Sequence, residues 1–284
     1  MRTIIPTKLA DDFIFLEAPR WHQGTLWVPD VFDQKLYHVD LDGEKSVLID
    51  DLPPVPNSLG FLADGTPIIV SSFDRKIMKI IDGALELFAD LGGATPHHLN
   101  DFSIDDEGRL YVGNFGYDIH GGADQVPTDL HMVDTDGTIR IVATGLEFPN
   151  GSAIINDGRT FVVAETWVGR LTAFDRAADG TLSNRRLYAD LDGRQPDGIC
   201  ADAEGAIWAS CFNTGEVIRV LDGGEITDKI QFEGSAIACC LGGDDGRTLF
   251  CSTYVGTIPD QIAKKRHGAL FTAQVEVGRA CHWQ

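Results

Sequence analysis

The sequence predicts an all-β fold built from a repeated unit, and three observations support this. Short apolar runs alternate with Asn/Asp-Gly turns, a pattern typical of β-hairpins. The 3.6-residue periodicity of apolar side chains that marks helices is nearly absent. Six segments that begin at a hairpin glycine share one register at intervals of about 40 to 50 residues. They are GTLWVPD (24–30), GTPIIVSS (65–72), GRLYVGNF (108–115), GRTFVVAE (158–165), GAIWASCF (205–212) and GRTLFCST (246–253).

Each unit follows one plan of four strands. A short apolar run such as SAII (152–155) precedes a tight turn such as NDG (156–158), and the second strand follows the glycine. A loop leads to the third strand, clear in LHMVDTDGT (130–138), and a shorter fourth strand follows, as in IRIVA (139–143). Repeats of this length are typical of propeller blades. The sequence therefore predicts a six-bladed β-propeller with four-stranded antiparallel blades around a central channel; an open solenoid or sandwich is the alternative.

The ends of the chain are predicted to meet in the last blade. The sixth unit ends at ALFTAQVEV (269–277), which leaves little chain for a fourth strand. The N-terminal segment TIIPTKLA (3–10) can supply that strand and close the ring. Because the chain has no linker or low-complexity tract, residues 1–284 are predicted to form a single domain.

The composition excludes several classes of partner. The formal net charge of -20 argues against nucleic-acid binding, which needs clustered Lys and Arg. The six cysteines form no C-x-x-C pair and are interpreted as reduced. No window resembles a membrane span, and residues 1–13 lack the apolar core of a signal peptide. We expect a soluble cytoplasmic protein without a membrane partner, and the sequence leaves its oligomeric state open.

One polar position recurs just before each blade's first apolar run. Counting back eight residues from each register glycine, or seven in the first unit, leads to Glu17, Asn57, Asn100, Asn150, Asp197 and Ala238. Buried polar groups are costly unless something satisfies them, so equivalent ones around a ring are expected to converge on a common partner. Strand order places them at one mouth of the channel. A cation that prefers oxygen ligands is the predicted partner.

Three of these residues are the predicted metal ligands, namely Glu17, Asn150 and Asp197. Their oxygens favour calcium, although zinc, magnesium and manganese can occupy such sites. The alternative is that Asn and Asp before Gly serve only as turn or capping residues. Asn100 either completes the coordination or donates its amide to a substrate carbonyl, and Asp101 is expected to support it from behind. Asn57 is a predicted substrate contact.

Two further groups of residues are predicted to approach a substrate. His98 lies two residues before Asn100, so strand alternation directs it to the channel. A substrate contact is favoured there over a zinc ligand or a plain wall residue, and a catalytic role as general acid or base stays open. Segment 116–128 (GYDIHGGADQVPT) is predicted to form a mobile flap that carries His120. Aromatic residues after the second strands either rim the mouth or pack between blades: Phe115, Tyr117, Trp167, Phe212 and Tyr254.

The motifs together resemble a known family. EAPRW (17–21), LND (99–101) followed by DEGRLYVG, FPNG (148–151) followed by NDGRTFVVAET, and PDGICADAEGAIWAS (196–210) are similar to the SMP-30/gluconolactonase/LRE family, over roughly residues 12–277. The resemblance implies a six-bladed propeller and a lactonase that uses one divalent cation. It implies Glu17, Asn150 and Asp197 as metal ligands, Asp197 as general base, and Asn100 as a further ligand or substrate contact.

One departure from the family pattern bears on the substrate. Sugar-acid lactonases of this family tend to carry Arg two residues before the Asn of the Asn-Asp pair, where this chain has His98. Histidine cannot replace the donor array of Arg, so a neutral, less polar lactone is expected. The working hypothesis is metal-assisted ring opening, with Asp197 activating water and with His98 and Asn100 acting on the substrate. Tyr117, His120 and Trp167 are further predicted contacts.

Other functions remain open at this stage. The same metal site can serve hydrolysis of another ester or phosphoester, or a lyase or isomerase step, because sites rather than folds determine chemistry. A non-catalytic propeller that binds calcium is a further alternative.

Overall fold

Twenty-five strands and one short helix account for the regular structure of the residues that the computed structural model describes, which are 1–118 and 121–280. The first two strands, β1 (Arg2–Ile4) and β2 (Thr7–Phe13), precede the first blade. Blade one comprises β3 (Arg20–His22), β4 (Thr25–Asp30), β5 (Lys35–Val39) and β6 (Lys45–Asp50). Blade two comprises β7 (Leu59–Phe61), β8 (Pro67–Ser71), β9 (Lys76–Ile81) and β10 (Ala84–Asp90). Blade three comprises β11 (Leu99–Ile104), β12 (Leu110–Asn114), β13 (Thr128–Val133) and β14 (Ile139–Leu146).

The second half of the chain repeats this arrangement. Blade four comprises β15 (Pro149–Ile155), β16 (Thr160–Glu165), β17 (Arg170–Arg176) and β18 (Leu182–Asp190). Blade five comprises β19 (Pro196–Ala201), β20 (Ile207–Cys211), β21 (Glu216–Val220) and β22 (Ile226–Gln231). Blade six comprises β23 (Ser235–Gly242), β24 (Thr248–Tyr254), the helix α1 (Ile258–Ile262) and β25 (Gly268–Gln274). The prediction of a six-bladed β-propeller with four-stranded antiparallel blades is confirmed.

Apolar packing between the blades holds the ring together. Six clusters of buried apolar side chains lie at the six boundaries between neighbouring blades. At the boundary where blade six meets blade one, Trp21 stacks on Phe250 with ring centroids 5.3 Å apart. Each blade therefore buries its two faces against its neighbours, which a single four-stranded sheet cannot do alone.

The N-terminal segment contributes to two blades. Strand β2 pairs antiparallel with β25 and is the outer strand of blade six, with Thr7 opposite Thr272. Strand β1 pairs in parallel with β22, so the sheet of blade five has five strands. The expectation of one strand over 3–10 is thus wrong in its bounds. Pro6 lies between the two strands and has no N–H to donate, so the segment divides there.

Two features of the described residues relate to the composition. The cysteines at 200, 211, 239, 240 and 251 are free and buried, and Cys281 lies outside the described residues. Helix α1, the one helix in the described chain, has five residues and is too short to cross a membrane.

Glycines bring the innermost strands of blades four, five and six unusually close together. A Cβ added at Gly151 would lie 2.5 Å from the backbone nitrogen of Ile199. A Cβ added at Gly198 would lie 2.5 Å from the Cβ of Ala238. These glycines directly follow Asn150 and Asp197, so the close approach also sets the spacing of two predicted ligands.

We expect Gly198→Ala to lower the free energy of unfolding by about 1–3 kcal/mol, because the added methyl group overlaps rigid backbone and side-chain atoms of blade six. Urea denaturation followed by far-UV circular dichroism measures the change. Gly93→Ala is the matched control, since a Cβ at Gly93 meets no atom within 4 Å. Equal stability of the two variants would contradict the role given to Gly198.

Candidate active site

The recurring polar residues lie where the innermost strands depart from regular pairing. The register of β11 with β12 shifts between Leu99 and Phe102, and that of β15 with β16 shifts between Pro149 and Ser152. The register of β19 with β20 shifts between Pro196 and Ile199. Such irregularities redirect side chains, and they are enriched next to active sites. The simple alternation used in the sequence analysis therefore does not hold at these positions.

Five of the six recurring positions line one cavity of about 240 Å³ at the channel mouth. We call them the polar floor: Glu17, Asn57, Asn100, Asn150 and Asp197. The sixth position, Ala238, is buried and does not line the cavity, because it packs against Gly198. Above blade six the cavity is lined by Ile258 and Gln261 of α1. Ala238 therefore leaves no open space beside it, because blade five packs there.

The asparagine amides of the floor form hydrogen bonds that run sideways from blade to blade. Asn57 Nδ2 donates to the carbonyl oxygen of Leu99 at 3.2 Å and to Asn100 Oδ1 at 3.4 Å. Asn100 Nδ2 donates to the carbonyl oxygen of Pro149 at 3.1 Å. Asn150 Nδ2 donates to Asp197 Oδ1. Because each amide nitrogen is held by the next blade, the orientation of each carboxamide is defined before any ligand arrives.

The charges of the floor are not balanced by neighbouring side chains. Burial, followed by repulsion from Asp197 and Asp101, raises the pKa of Glu17 well above its usual value, although Arg20 partly offsets this. Burial and repulsion from Asp101 raise the pKa of Asp197 to about 8, against the hydrogen bond from Asn150. Three carboxyl groups therefore share one guanidinium, and an added cation would relieve the repulsion.

The donor set fits a divalent cation that prefers oxygen. Two carboxylates can offset its charge, and amide oxygens can complete the coordination. Asn57 Oδ1 is buried without a hydrogen-bond partner among the described residues, so the floor holds an unused acceptor. Within 1–118 and 121–280, no three His, Cys, Asp or Glu side chains form a metal cluster by themselves. A cation bound here would need the amide oxygens as well as Glu17 and Asp197.

The side chain of Asp101 forms hydrogen bonds and an ion pair within the protein and does not line the cavity. Its carboxylate accepts hydrogen bonds from Ser58 Oγ and from the backbone N–H of Phe102, the latter at 2.8 Å. Arg20 lies 3.7 Å from Asp101 Oδ1. These contacts connect blades one, two and three behind Asn100. The supporting role of Asp101 remains a prediction.

An apolar wall rises above the polar floor. It consists of nine cavity-lining residues: Phe15, Val31, Phe32, Val55, Phe115, Phe148, Trp167, Phe212 and Ile258. The ring of Phe148 is stacked on Phe115 at 5.0 Å and lies 4.8 Å from Trp167. On the opposite side Phe15 lies 6.0 Å from Phe32. The cavity therefore combines a polar bottom with aromatic sides.

A repeated backbone hydrogen bond joins the wall to the floor. The carbonyl two residues before a floor residue accepts a hydrogen bond from the N–H of a residue that follows the second strand of the same blade. Val31 donates to Phe15 at 2.9 Å, and Phe115 donates to His98 at 2.9 Å. The bond recurs in three more blades, in the pairs Ser72 to Val55, Thr166 to Phe148 and Phe212 to Gln195. Each of these five hydrogen bonds therefore fixes the backbone of at least one wall residue close to a floor residue.

The predicted substrate contacts have different positions. Trp167 lines the cavity. The ring of His98 lies 4.3 Å from Phe73 and 6.2 Å from Phe115, and His98 is not among the cavity-lining residues. The ring of Tyr117 lies 6.2 Å from that of Phe148, and Tyr117 is not among the cavity-lining residues. His120 lies outside the described residues. Their roles remain predictions.

Hydrogen bonds anchor the described parts of the predicted flap to the neighbouring strands and turns. Thr128 Oγ1 donates to Asn114 Oδ1 at 2.6 Å, and Gln125 Nε2 donates to Glu147 Oε2 at 3.1 Å. These bonds tie one end of segment 116–128 to blade three and to the turn before blade four. The predicted mobility of the segment remains untested.

Sequence reasoning missed part of the wall and all of α1. Phe148, with a backbone φ of 56°, belongs to the FPNG motif, but the motif was considered only for Asn150. Helix α1 begins with a capping box, in which the N–H and hydroxyl of Thr257 both donate to Asp260 Oδ2. The signal was Thr-x-x-Asp beside a proline, and it was hidden because the helix is so short.

Comparison with known proteins identifies the family. The SMP-30/Gluconolactonase/LRE-like region matches residues 15–255, and the chain belongs to this family. Regucalcin of Danio rerio is 26% identical over 271 residues, which cover 88% of this chain and 86% of the relative. Pentonolactonase XacC of Haloferax volcanii is 27% identical over 256 residues, which cover 84% of this chain and 82% of the relative.

A solved structure shows the same fold. The crystal structure of a calcium-binding protein, regucalcin, from Agrobacterium tumefaciens matches with a TM-score of 0.83. The match covers 99% of this chain and 98% of that chain, at 23% sequence identity. The architecture described above is therefore that of a known propeller.

We expect the metal-free protein to lose stability as the pH rises from about 4 to 8 through the titration of Asp197. The folded state holds a proton there that the unfolded chain releases, so folding becomes less favourable with rising pH. Asp197→Asn removes this contribution and makes the slope of unfolding free energy against pH more positive, by up to about 1.4 kcal/mol per pH unit. Urea denaturation in EDTA at several pH values measures it.

Asp157→Asn is the control for this comparison. The Asp157 side chain is 94% exposed, and its φ of 53° suits asparagine. The slope of this variant should equal that of the wild type. An unchanged slope in Asp197→Asn would show that the charge at Asp197 is already compensated in the folded protein.

Proposed function

We propose that this protein is a divalent-metal-dependent lactonase, a hydrolase that opens the ring of an intramolecular ester. The observation that carries the proposal is the polar floor, where the buried carboxyl groups of Glu17 and Asp197 have raised pKa values and lie beside three oriented carboxamides. The names of the relatives support it, since one is a pentonolactonase and the family name includes gluconolactonase.

Glu17, Asn150 and Asp197 would hold the cation. Their carboxylate and amide oxygens favour calcium, and the regucalcin relatives include one described as calcium-binding. Two carboxylates match a divalent charge, so a cation offsets the burial and the repulsion that raise their pKa values in the protein alone. When bound, such a cation supplies Lewis-acid chemistry that polarises an ester carbonyl.

Asp197 would act as the general base. Its carboxylate is held by the N–H of Asn150, which in turn lies 3.3 Å from Thr166 Oγ1, so its direction is fixed by two residues of blade four. It accepts a proton from the attacking water while the water oxygen bonds to the carbonyl carbon. The ring C–O bond then breaks, and the same proton passes to the leaving oxygen. The product is a hydroxy acid.

Asn100 would orient the ester. One N–H of its amide donates to the carbonyl oxygen of Pro149, and the second N–H remains for a substrate oxygen. Asn57 holds the other side of this carboxamide through Asn100 Oδ1. The floor thus offers a fixed donor next to the base, which is the arrangement that ring opening needs.

We expect EDTA to abolish lactone hydrolysis and added calcium to restore it, as measured in a pH-stat. Asp197→Asn should lower kcat by about 100-fold to 10 000-fold because it removes the base, whereas Asn57→Ala should cost less than about tenfold. Circular dichroism and the melting temperature of each variant serve as controls for folding.

Two outcomes would contradict the proposal. Full activity of the EDTA-treated protein would rule out the metal dependence. Calcium-dependent stabilisation with no turnover of any lactone would favour the alternative of a non-catalytic calcium-binding propeller.

A further inference from the structure

The contrast between floor and wall indicates which lactone the cavity accepts. Resting on the proposed function, we propose that the substrate is an uncharged lactone that carries an apolar chain or ring, with the ester over the polar floor and the apolar group against the wall. The polar floor has the polar groups to bind one ester group of a substrate. The remainder of the cavity lining is apolar, apart from Thr166 and Gln261.

The charge of the site disfavours anionic lactones. Among the cavity-lining residues of the described chain, none is Lys or Arg. Arg20, whose charge acts on Glu17, lies 3.7 Å from Asp101 and does not line the cavity. A carboxylated or sulfonated lactone would meet Glu17 and Asp197 with no cationic side chain in the cavity lining.

The wall also disfavours a polyhydroxylated lactone. Each hydroxyl that enters a cavity must exchange its water for a hydrogen-bond partner, or the transfer is unfavourable. The wall offers nine apolar side chains, six of them aromatic. Each floor amide already donates an N–H to an acceptor on the neighbouring blade. A sugar ring would therefore lose more hydrogen bonds to water than it could form with the cavity lining.

Aromatic side chains bracket the space for the apolar group on two sides. Phe115, Phe148 and Trp167 form a continuous cluster from blades three and four, with centroid distances of 5.0 and 4.8 Å. Phe15 and Phe32 form a second cluster on blade one, and Phe15 also lies 5.4 Å from Tyr254. Flat faces on two sides of a cavity of about 240 Å³ suit an alkyl chain or a single ring.

The approach to the cavity is apolar as well. Six exposed apolar residues lie in the loops between second and third strands, on the face that carries the site: Phe73, Val126, Val168, Val255, Ile258 and Ile262. Ile258 is 63% exposed and also lines the cavity, so the apolar surface continues from the rim into the wall. This independent observation points to the same class of substrate.

A series of γ-lactones tests the proposal in the presence of calcium. The ring carries no substituent or an ethyl, butyl or hexyl chain at the carbon that bears the ring oxygen, and glucono-lactone and a carboxylated sugar lactone complete the set. We expect kcat/KM to rise about threefold for each methylene group that the wall buries, and to be lowest for the carboxylated lactone. A flat series, or a preference for glucono-lactone, would overturn the proposal.

Variants assign the effect to the wall. Trp167→Ala and Ile258→Ser should each lower the ratio of kcat/KM for the hexyl lactone to that for the unsubstituted lactone by about tenfold. Leu187→Ala is the matched control on the outer strand of blade four, where Leu187 is 57% exposed, and it should leave the ratio at the wild-type value. Equal losses on both lactones would mean that the wall has only a structural role.

A lactam separates this inference from the proposed function. 5-Hexylpyrrolidin-2-one cannot be opened like an ester, so calorimetry measures its binding without turnover. We expect it to bind more tightly than pyrrolidin-2-one and with a negative change in heat capacity. Lactam binding without hydrolysis of any lactone would refute the lactonase alone. Hydrolysis with a preference for hydroxylated rings would refute the apolar substrate alone.

Discussion

The sideways hydrogen bonds of the asparagine amides are the interaction on which the site depends. Asn57, Asn100 and Asn150 each donate to the inner strand of the next blade. Asn150 reaches Asp197 where the inner strands of blades four and five approach closely at Gly151. A propeller blade has no core of its own and is stable only when it packs against a neighbour. The same packing brings the polar residue of the blade into its hydrogen bond with the next blade. The site is therefore assembled by closing the ring.

The same closure concentrates charge in the channel mouth. Glu17, Asp101 and Asp197 come from blades one, three and five, and no two of them are near each other in the sequence. Folding brings them close together, so burial, Asp197 and Asp101 disfavour the ionisation of Glu17, and burial and Asp101 disfavour that of Asp197. This repulsion destabilises the folded protein locally, and the apolar clusters between the blades supply the stability that offsets it. Buried carboxyl groups with raised pKa values are typical of functional sites, including sites that bind a cation.

Much of the fold and floor could be predicted because they repeat. Hairpin glycines at regular intervals predicted the second strands, and the constant offset from those glycines led to Glu17, Asn150 and Asp197. Asn100 and Asp101 lie where the pairing register shifts, and such a shift depends on the neighbouring strand as well as on the local sequence, so it could not be predicted. The ring of His98 packs on Phe73, and its predicted contact with a substrate stays a prediction.

The sequence alone determined the number of blades, the strands within them and the residues of the floor, because periodic patterns and turn residues act over short stretches of chain. Only the tertiary structure decided what those residues face. Helix α1 lines the cavity above blade six, and Ala238 packs on Gly198 instead of lining the cavity. The apolar wall combines residues from all six blades, such as Phe15, Phe148 and Ile258. Their convergence depends on ring closure, a long-range contact that no local pattern encodes.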